Sequence, residues 1–314
     1  MFMPQRQQTF QKKHPTLANL IVIVIVVLFI GLVYTGYKTS KGPNGDLSLF
    51  KIAVIPIKGE IGIGGSVDPT ETIKEIKKAD KDLTVKAIIL EINSPGGSVV
   101  PTEEIAKAVK DANKPVVSWI REVGASGAYW IASASDKIVA DPASLTGSIG
   151  VTSSYLQFSK LLDTYGVTYE RLVTGKFKDA GSEFKELTPD ERAYLQSKID
   201  VINELFIDTV AENRKLPREN VAKLATGEIF LGSEALDLGL VDVLGGKEDA
   251  QKAAQALAGI THSKLVSTKD KNKGLIGALS QEAKTFAYFL GKGIGEALTP
   301  LSAEKDFSLK AELN

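Results

Sequence analysis

Two short runs hold the residues best suited to chemistry. In Gly124-Ala125-Ser126-Gly127 a serine sits among small residues, which leaves its hydroxyl open and lets a substrate backbone come close. Upstream, Asn93-Ser94-Pro95-Gly96-Gly97 is a turn in which Gly97 can aim a backbone N–H at a carbonyl oxygen with no side chain in the way. A short helix is predicted from Ser126, so the N–H of Gly127 also points outward. The two N–H groups would be the donors for a developing oxyanion. Nucleophile and oxyanion hole together point to acyl transfer. Either run alone is an ordinary glycine-rich turn of an α/β protein.

The rest of the composition removes the usual partners of such a serine. The 314-residue chain has no cysteine, so thiol nucleophiles, thiolate metal sites and disulfides are excluded. It has two histidines. His14 precedes a long apolar run and His262 lies near the end of the folded part, so neither is placed to serve a mid-chain serine. A Ser-His-Asp triad is not expected, and the established non-histidine base is lysine. No His or carboxylate cluster stands at ligand spacing, so neither a metal nor another cofactor is expected. Basic and acidic residues balance at 38 each, which gives no reason to expect a nucleic-acid partner. The lack of cysteine is compatible with an oxidising, extracytoplasmic setting.

The elements that must position these residues alternate. Strands are predicted at Lys51 to Lys58, Val85 to Ile92, Pro115 to Ile120 and Lys137 to Ala140. Helices are predicted at Thr70 to Ala79, Thr102 to Asp111 and Ser126 to Ser133. The second strand is apolar on both faces, which fits a parallel sheet covered on both sides. The repeat is β-α-β-α, and the fold class is α/β. Further on, Val167 to Val173 reads as a strand. Pro189 to Glu212 reads as a long helix opened by the capping signal Thr188-Pro189-Asp190-Glu191. A closing helix is predicted at Ala250 to Leu257.

Before this domain, Leu17 to Tyr34 is almost wholly apolar, and no charge occurs from Thr16 to Tyr37. As a helix its 18 residues span roughly 27 Å, close to the thickness of a bilayer core. Arg6, Lys12 and Lys13 precede it with no acid, which favours a cytoplasmic N-terminus. The rival is a cleaved signal peptide, but Thr35-Gly36-Tyr37-Lys38 lacks a small-x-small cleavage pattern. The expected organisation is a cytoplasmic segment at 1–16, a transmembrane anchor at 17–37 and a linker at 38–49. A peptidase domain at 50–262 and a tail at 263–314 follow, the domain lying outside the cytoplasm of a single-pass protein. In the tail, Leu275, Leu279, Ala283, Phe286, Leu290, Ile294 and Leu298 lie at helical spacing. This amphipathic helix would dock on the domain or a partner subunit, lie on a membrane surface, or act as a self-inhibitory segment.

Four motifs in order carry a resemblance over about Phe50 to Gly259. They are Ile92-Asn93-Ser94-Pro95-Gly96-Gly97, Gly124-Ala125-Ser126-Gly127-Ala128-Tyr129-Trp130, Leu145-Thr146-Gly147-Ser148-Ile149-Gly150 and Gly175-Lys176-Phe177-Lys178-Asp179. The chain resembles the bacterial and archaeal signal peptide peptidases of the serine–lysine type, also called protease IV, distant relatives of Clp protease and the crotonases. The resemblance implies a Clp protease/crotonase-like fold with mostly parallel sheets flanked by helices, and a ring- or bowl-shaped homo-oligomer whose neighbouring subunits complete the sites. It implies Ser126 as nucleophile, Lys178 as general base, and Ser148 as the hydroxyl that orients the lysine amine. It also implies hydrophobic peptide substrates, remnant signal peptides among them. On residue type alone, Lys176 competes with Lys178, and either reads as a solvated charge.

A lysine accepts a proton only when neutral, and its reference pKa of about 10.4 must fall; burial does this. An ionised Asp179 close to Lys178 would oppose it. Ser94 and Ser98 read as turn residues, and Tyr129 and Trp130 as packing. Two other readings share these residues. A crotonase-like acyl-CoA enzyme uses the same paired-amide hole, but no catalytic acid pair is evident. A non-catalytic membrane scaffold would need none of this chemistry.

Overall fold

The computed structural model describes residues 50–268, together with residues 25–27 and 29–30, which are helical. The rest of the expected anchor, the linker and the tail from 269 onward lie outside the described residues. Among the described residues no helix is long and apolar enough to cross a membrane. The chain divides into two compact units, Met1–Val266 and Ser267–Asn314, and the site belongs to the first.

Three long strands, β1 (Lys51–Lys58), β2 (Val85–Ser94) and β3 (Val116–Ala125), pair in parallel at the centre of one sheet. Side chains alternate along a strand, and here both sets are buried. Ala53, Ile55 and Ile57 of β1, with Ile88, Leu90 and Ile92 of β2, enter the larger core. Ile52, Val54, Ala87 and Ile89 enter a second, smaller core on the other face. This double cover is why the strands read as unbroken apolar runs. On the larger core lie α1 (Pro69–Lys81), α2 (Val99–Lys110) and α3 (Gly127–Ser133).

The far end of β3 has two neighbours. Val117 to Ile120 pair with β4 (Lys137–Ala140), and Val123 to Ala125 pair with β5 (Leu145–Gly147). The end of β5 therefore lies beside the residue that follows β3, which is Ser126. After β5 come α4 (Ser159–Thr164), α5 (Pro189–Arg214), α6 (Arg218–Leu224), β6 (Ile229–Leu231), α7 (Gly232–Asp237), β7 (Val243–Leu244), α8 (Lys247–Ala258) and β8 (Lys264–Ser267). The sheet runs β6-β5-β3-β2-β1-β8, with β4 between β3 and β7. Only the β5–β6 pairing among the described registers is antiparallel. Ala250 and Ala254 of α8 cover the smaller core. The sheet thus continues past residue 262 through β8.

Helix α5 opens as its capping signal predicts. Thr188 and Glu191 form a reciprocal capping box, and Pro189 takes the first turn. Its second half is buried through Phe206, Ile207, Val210 and Ala211. Phe206 stacks on Trp130 of α3, ring centroids 4.5 Å apart. Tyr129 and Trp130 are buried and serve packing; Tyr129 donates its hydroxyl to Leu240 O at 2.9 Å.

One predicted element is not a strand. Residues 167–173 carry no strand pairing and are exposed throughout. Their Val and Tyr content favours a pleated, half-buried surface, but they pair with no strand among the described residues. The N–H of Val167 instead bonds Leu162 O at 2.9 Å.

The Trp130–Phe206 stack joins α5 to the helix that follows Ser126. Phe206→Ala should therefore cost about 3–5 kcal/mol in urea unfolding, and Phe206→Leu less, because most of the buried volume stays.

Candidate active site

Ser126 is the single residue between β3 and α3, and its backbone is at φ 52°, ψ −124°. Among the described residues three other than glycine have positive φ: Ser126, Ser148 and Lys215. Lys215 is a left-handed helix cap, an ordinary place for it. The two serines are both at the site, and such conformations cost on the order of 1–3 kcal/mol each. Hydrogen bonds hold them. Ser126 N–H donates to Gly147 O at 2.8 Å and Trp130 N–H to Ser126 O at 3.0 Å. Ser148 N–H donates to Glu228 O at 2.7 Å, and Gly227 N–H to Ile149 O at 2.9 Å. The buried hydroxyl of Thr146 donates to Gly124 O at 2.8 Å and clasps β5 to β3.

The two glycine runs are in backbone contact. A Cβ on Gly96 would stand 2.7 Å from Gly127 N, and one on Gly97 would stand 2.0 Å from Ile61 O. A Cβ on Gly127 would stand 2.5 Å from Thr102 Oγ1 and 3.4 Å from Gly97 N. A side chain fits at none of the three, and the N–H groups of Gly97 and Gly127 are brought to one place. The first run is pinned by Ile61 N–H to Gly96 O at 2.9 Å and Ser98 N–H to Ile61 O at 2.8 Å. Among the described residues, neither Gly97 N–H nor Gly127 N–H has an acceptor.

Ser126 stands between two cavities. The smaller, about 100 Å³, is lined by Gly97, Val99, Thr102, Gly127, Trp130 and Phe206, among others. The larger, about 430 Å³, is lined by Ser126, Ser148, Gly150, Gln196, Asp200 and Asn203, among others. Gln196, Asp200 and Asn203 lie on one face of α5. In sequence their spacing looks like any solvated helix face, which is why these three escape a reading of the sequence. Positive φ at a serine likewise leaves no mark on residue type.

Lys178 is not with them. It sits on an exposed turn, its N–H bonded to Gly175 O at 3.2 Å, and it lines neither cavity. One chain therefore brings together Ser126, Gly97, Gly127 and Ser148 and leaves Lys178 apart. Lys176 donates to Asp190 Oδ2 at 2.6 Å. Asp179 is taken by Arg171, which holds both carboxylate oxygens, one through Nη2 at 2.6 Å. Lys185 bridges Asp179 at 3.9 Å and Glu191 at 2.5 Å. Phe177 stacks on Tyr194 at 4.5 Å. The turn is thus tied to the start of α5 by its neighbours, with the Lys178 side chain left out of the network. The Arg171 guanidinium holds the Asp179 carboxyl below the usual carboxylate range. The ammonium of Lys185, with the Thr188 backbone N–H, does the same for Glu191.

A strained serine at a strand-to-helix break, beside two N–H groups without acceptors among the described residues and on a doubly covered parallel sheet, fits the Clp protease/crotonase-like fold class. Comparison with known proteins narrows the class. The model of peptidase family S49 matches residues 108–261, a stretch that contains Ser126, Ser148 and Lys178. A Methanocaldococcus jannaschii protein provisionally named a protease is 35% identical over 89% of this chain and 93% of its own length. An Enterococcus faecium protein provisionally named signal peptide peptidase SppA is 34% identical over 64% of this chain and 60% of its own. The chloroplastic serine protease SPPA of Arabidopsis thaliana is 31% identical over 67% of this chain and 32% of its own. The chain belongs to peptidase family S49.

Asp179 and Glu191 have lowered folded-state pKa values, so their contribution to stability is complete above the ordinary carboxylate range and is lost as pH falls through the lowered values. In a carboxyl-detected NMR titration both should titrate below about 3.9 and 4.3. Arg171→Ala should return Asp179 towards its ordinary value and leave Glu191 low. An Asp179 midpoint that does not respond to Arg171→Ala would contradict the pairing.

Proposed function

We propose that the chain is a membrane-anchored endopeptidase with a Ser126/Lys178 dyad. The observation that carries this is the placement of Ser126 between an open cavity and the paired N–H groups of Gly97 and Gly127. Ser126 Oγ attacks the scissile carbonyl as an amine takes its proton. The carbonyl oxygen becomes an oxyanion between the two N–H groups, and removing one such donor typically costs about 3 kcal/mol of transition-state stabilisation. The ammonium then protonates the leaving amine, and the same base activates the water that hydrolyses the acyl-enzyme.

Lys178 reaches this site from a neighbouring copy. Two features support that reading. Its side chain is exposed and outside the cavities of its own chain. The segment that carries it also shows apolar side chains to solvent, Leu172 at 98% and Tyr165 at 76%, a surface that monomers rarely present. Covering it with another copy would strip water from the amine and favour the neutral form. Hydrophobic peptides fit the apolar wall of the smaller cavity, and the name of the Enterococcus relative points to signal peptides among them. An anchor at residues 17–37 confines the enzyme to where such peptides reside.

Ser126→Ala and Lys178→Ala should each lower kcat by at least ~10⁴-fold on a fluorogenic peptide, and Ser126→Ala should abolish labelling by a fluorophosphonate. Ser148→Ala should keep the labelling and slow it. Co-expressed in one assembly, the two inactive variants should regain activity. Continued silence of that mixture, with assembly intact, would place the lysine within one chain. Labelling that survives Ser126→Ala but not Ser148→Ala would reverse the roles of the serines.

The full chain should stay with membranes through alkaline carbonate extraction, and a chain lacking residues 1–37 should be released. Release of the full chain would remove the anchor from this reading.

A further inference from the structure

Lys178 is followed directly by an acid, Asp179, and consecutive Cα atoms stand about 3.8 Å apart. An uncompensated carboxylate at that range would favour the ammonium, which accepts no proton. In the structure the carboxylate is occupied. Arg171 Nε donates to Asp179 Oδ2, and Arg171 Nη2 donates to Oδ1 at 2.6 Å. The two-point contact uses both oxygens in one plane. It holds the carboxyl below the usual carboxylate range, so the negative charge is present wherever a lysine titrates. Lys185 Nζ lies 3.9 Å from Asp179 Oδ1 and nearer to Glu191, at 2.5 Å. Lys176 is paired with Asp190, and Tyr169 and Tyr194 pack on Phe184 and Phe177. Among the described residues the Lys178 amine has no ion pair, with Asp179 or with any other carboxylate.

We infer that Arg171 is a positioning residue acting through Asp179: it turns that carboxylate to itself and offsets its charge, so that the Lys178 amine is neutral when it meets Ser126. This rests on the Ser126/Lys178 reading given above. A guanidinium suits the task because it stays charged at every pH at which a lysine titrates, and its fork matches both carboxylate oxygens. An ammonium in its place would be a point charge. In the cavity that receives the amine, Asp200 is the ionisable group among the lining residues, and its carboxylate accepts from Gln196 Nε2 at 2.8 Å. Asp200 is common to all the variants below and cancels from their comparison.

The test is kcat/KM of the full chain on a neutral fluorogenic peptide across pH 6–10, whose acid limb reports the base of the free enzyme. Arg171→Ala leaves Asp179 with Lys185 alone and should raise the acid limb by about one unit. The rate should therefore fall about tenfold below the limb and little on the plateau. Asp179→Asn leaves the guanidinium without its counter-charge and should lower the limb. The double variant Arg171→Ala/Asp179→Asn removes both charges and should return the limb to its wild-type position. Arg171→Lys, with charge but no fork, should fall between wild type and Arg171→Ala.

If the pair merely holds the turn, both single variants lose rate equally at every pH and the double variant recovers nothing. That result overturns the inference, as does an acid limb that stays in place in folded, assembled Arg171→Ala. Should Arg171→Ala fail to fold or assemble, Asp179→Asn decides alone, and a limb that does not fall overturns the inference. Full activity in Lys178→Ala would instead overturn the dyad itself, whatever the Arg171 variants do.

Discussion

The site depends on the hydrogen bond from Ser126 N–H to Gly147 O, 2.8 Å long. It is the last rung between β3 and β5, placed one residue beyond the end of β3. It holds Ser126 at φ 52°, outside both strand and helix geometry. Freed from that rung, the residue would lose on the order of 1–3 kcal/mol of strain by joining α3 as an ordinary first-turn serine. Its hydroxyl would then leave the break between the elements. The same rung sets Gly147, and with it Ser148, beside Ser126. Ser148 is held separately, by its N–H on Glu228 O ahead of β6.

Contact between the glycine runs is the second constraint. Gly96, Gly97 and Gly127 let two backbones meet where any Cβ would collide with backbone or with Thr102. The result is two N–H groups held close together, with no acceptor among the described residues. Unmet donors of this kind cost about 1–3 kcal/mol each. The fold sustains that cost because β1, β2 and β3 are buried on both faces. Rigidity follows from the same burial, so the two N–H groups stay where the fold puts them.

How much of this could be read beforehand varies with the kind of physics involved. The strands at Lys51–Lys58 and Lys137–Ala140 are found with the ends predicted, because apolar runs bounded by turn residues leave few alternatives. Helix α5 was announced by its own capping box. The run at 167–173 was misread because strand propensity is no substitute for a neighbouring edge. Ser126 was legible from its small neighbours and from the lack of cysteine and suitably placed histidine. The choice of Lys178 over Lys176 came only from resemblance. The structure shows Lys176 paired with Asp190 and Asp179 drawn off by Arg171. Gln196, Asp200 and Asn203 were illegible, since polar residues on a helix face look alike whether they meet water or a cavity.

Residue order alone pointed to the class of chemistry. A serine among glycines, no cysteine, two remote histidines and doubly apolar strands fit an acyl-transfer site on an α/β sheet, and only the four motifs in order gave it a family. These are properties of residue type and local spacing, which survive without knowledge of distant contacts. Only the tertiary structure decided that Ser126 and Ser148 are both strained, that the backbones of Gly97 and Gly127 meet, that Asn203 of α5 lines the same cavity, and that Lys178 stands apart from it within one chain. Each of these is a meeting of segments far apart in sequence. Such meetings are governed by sheet register and helix docking, and no single segment encodes them.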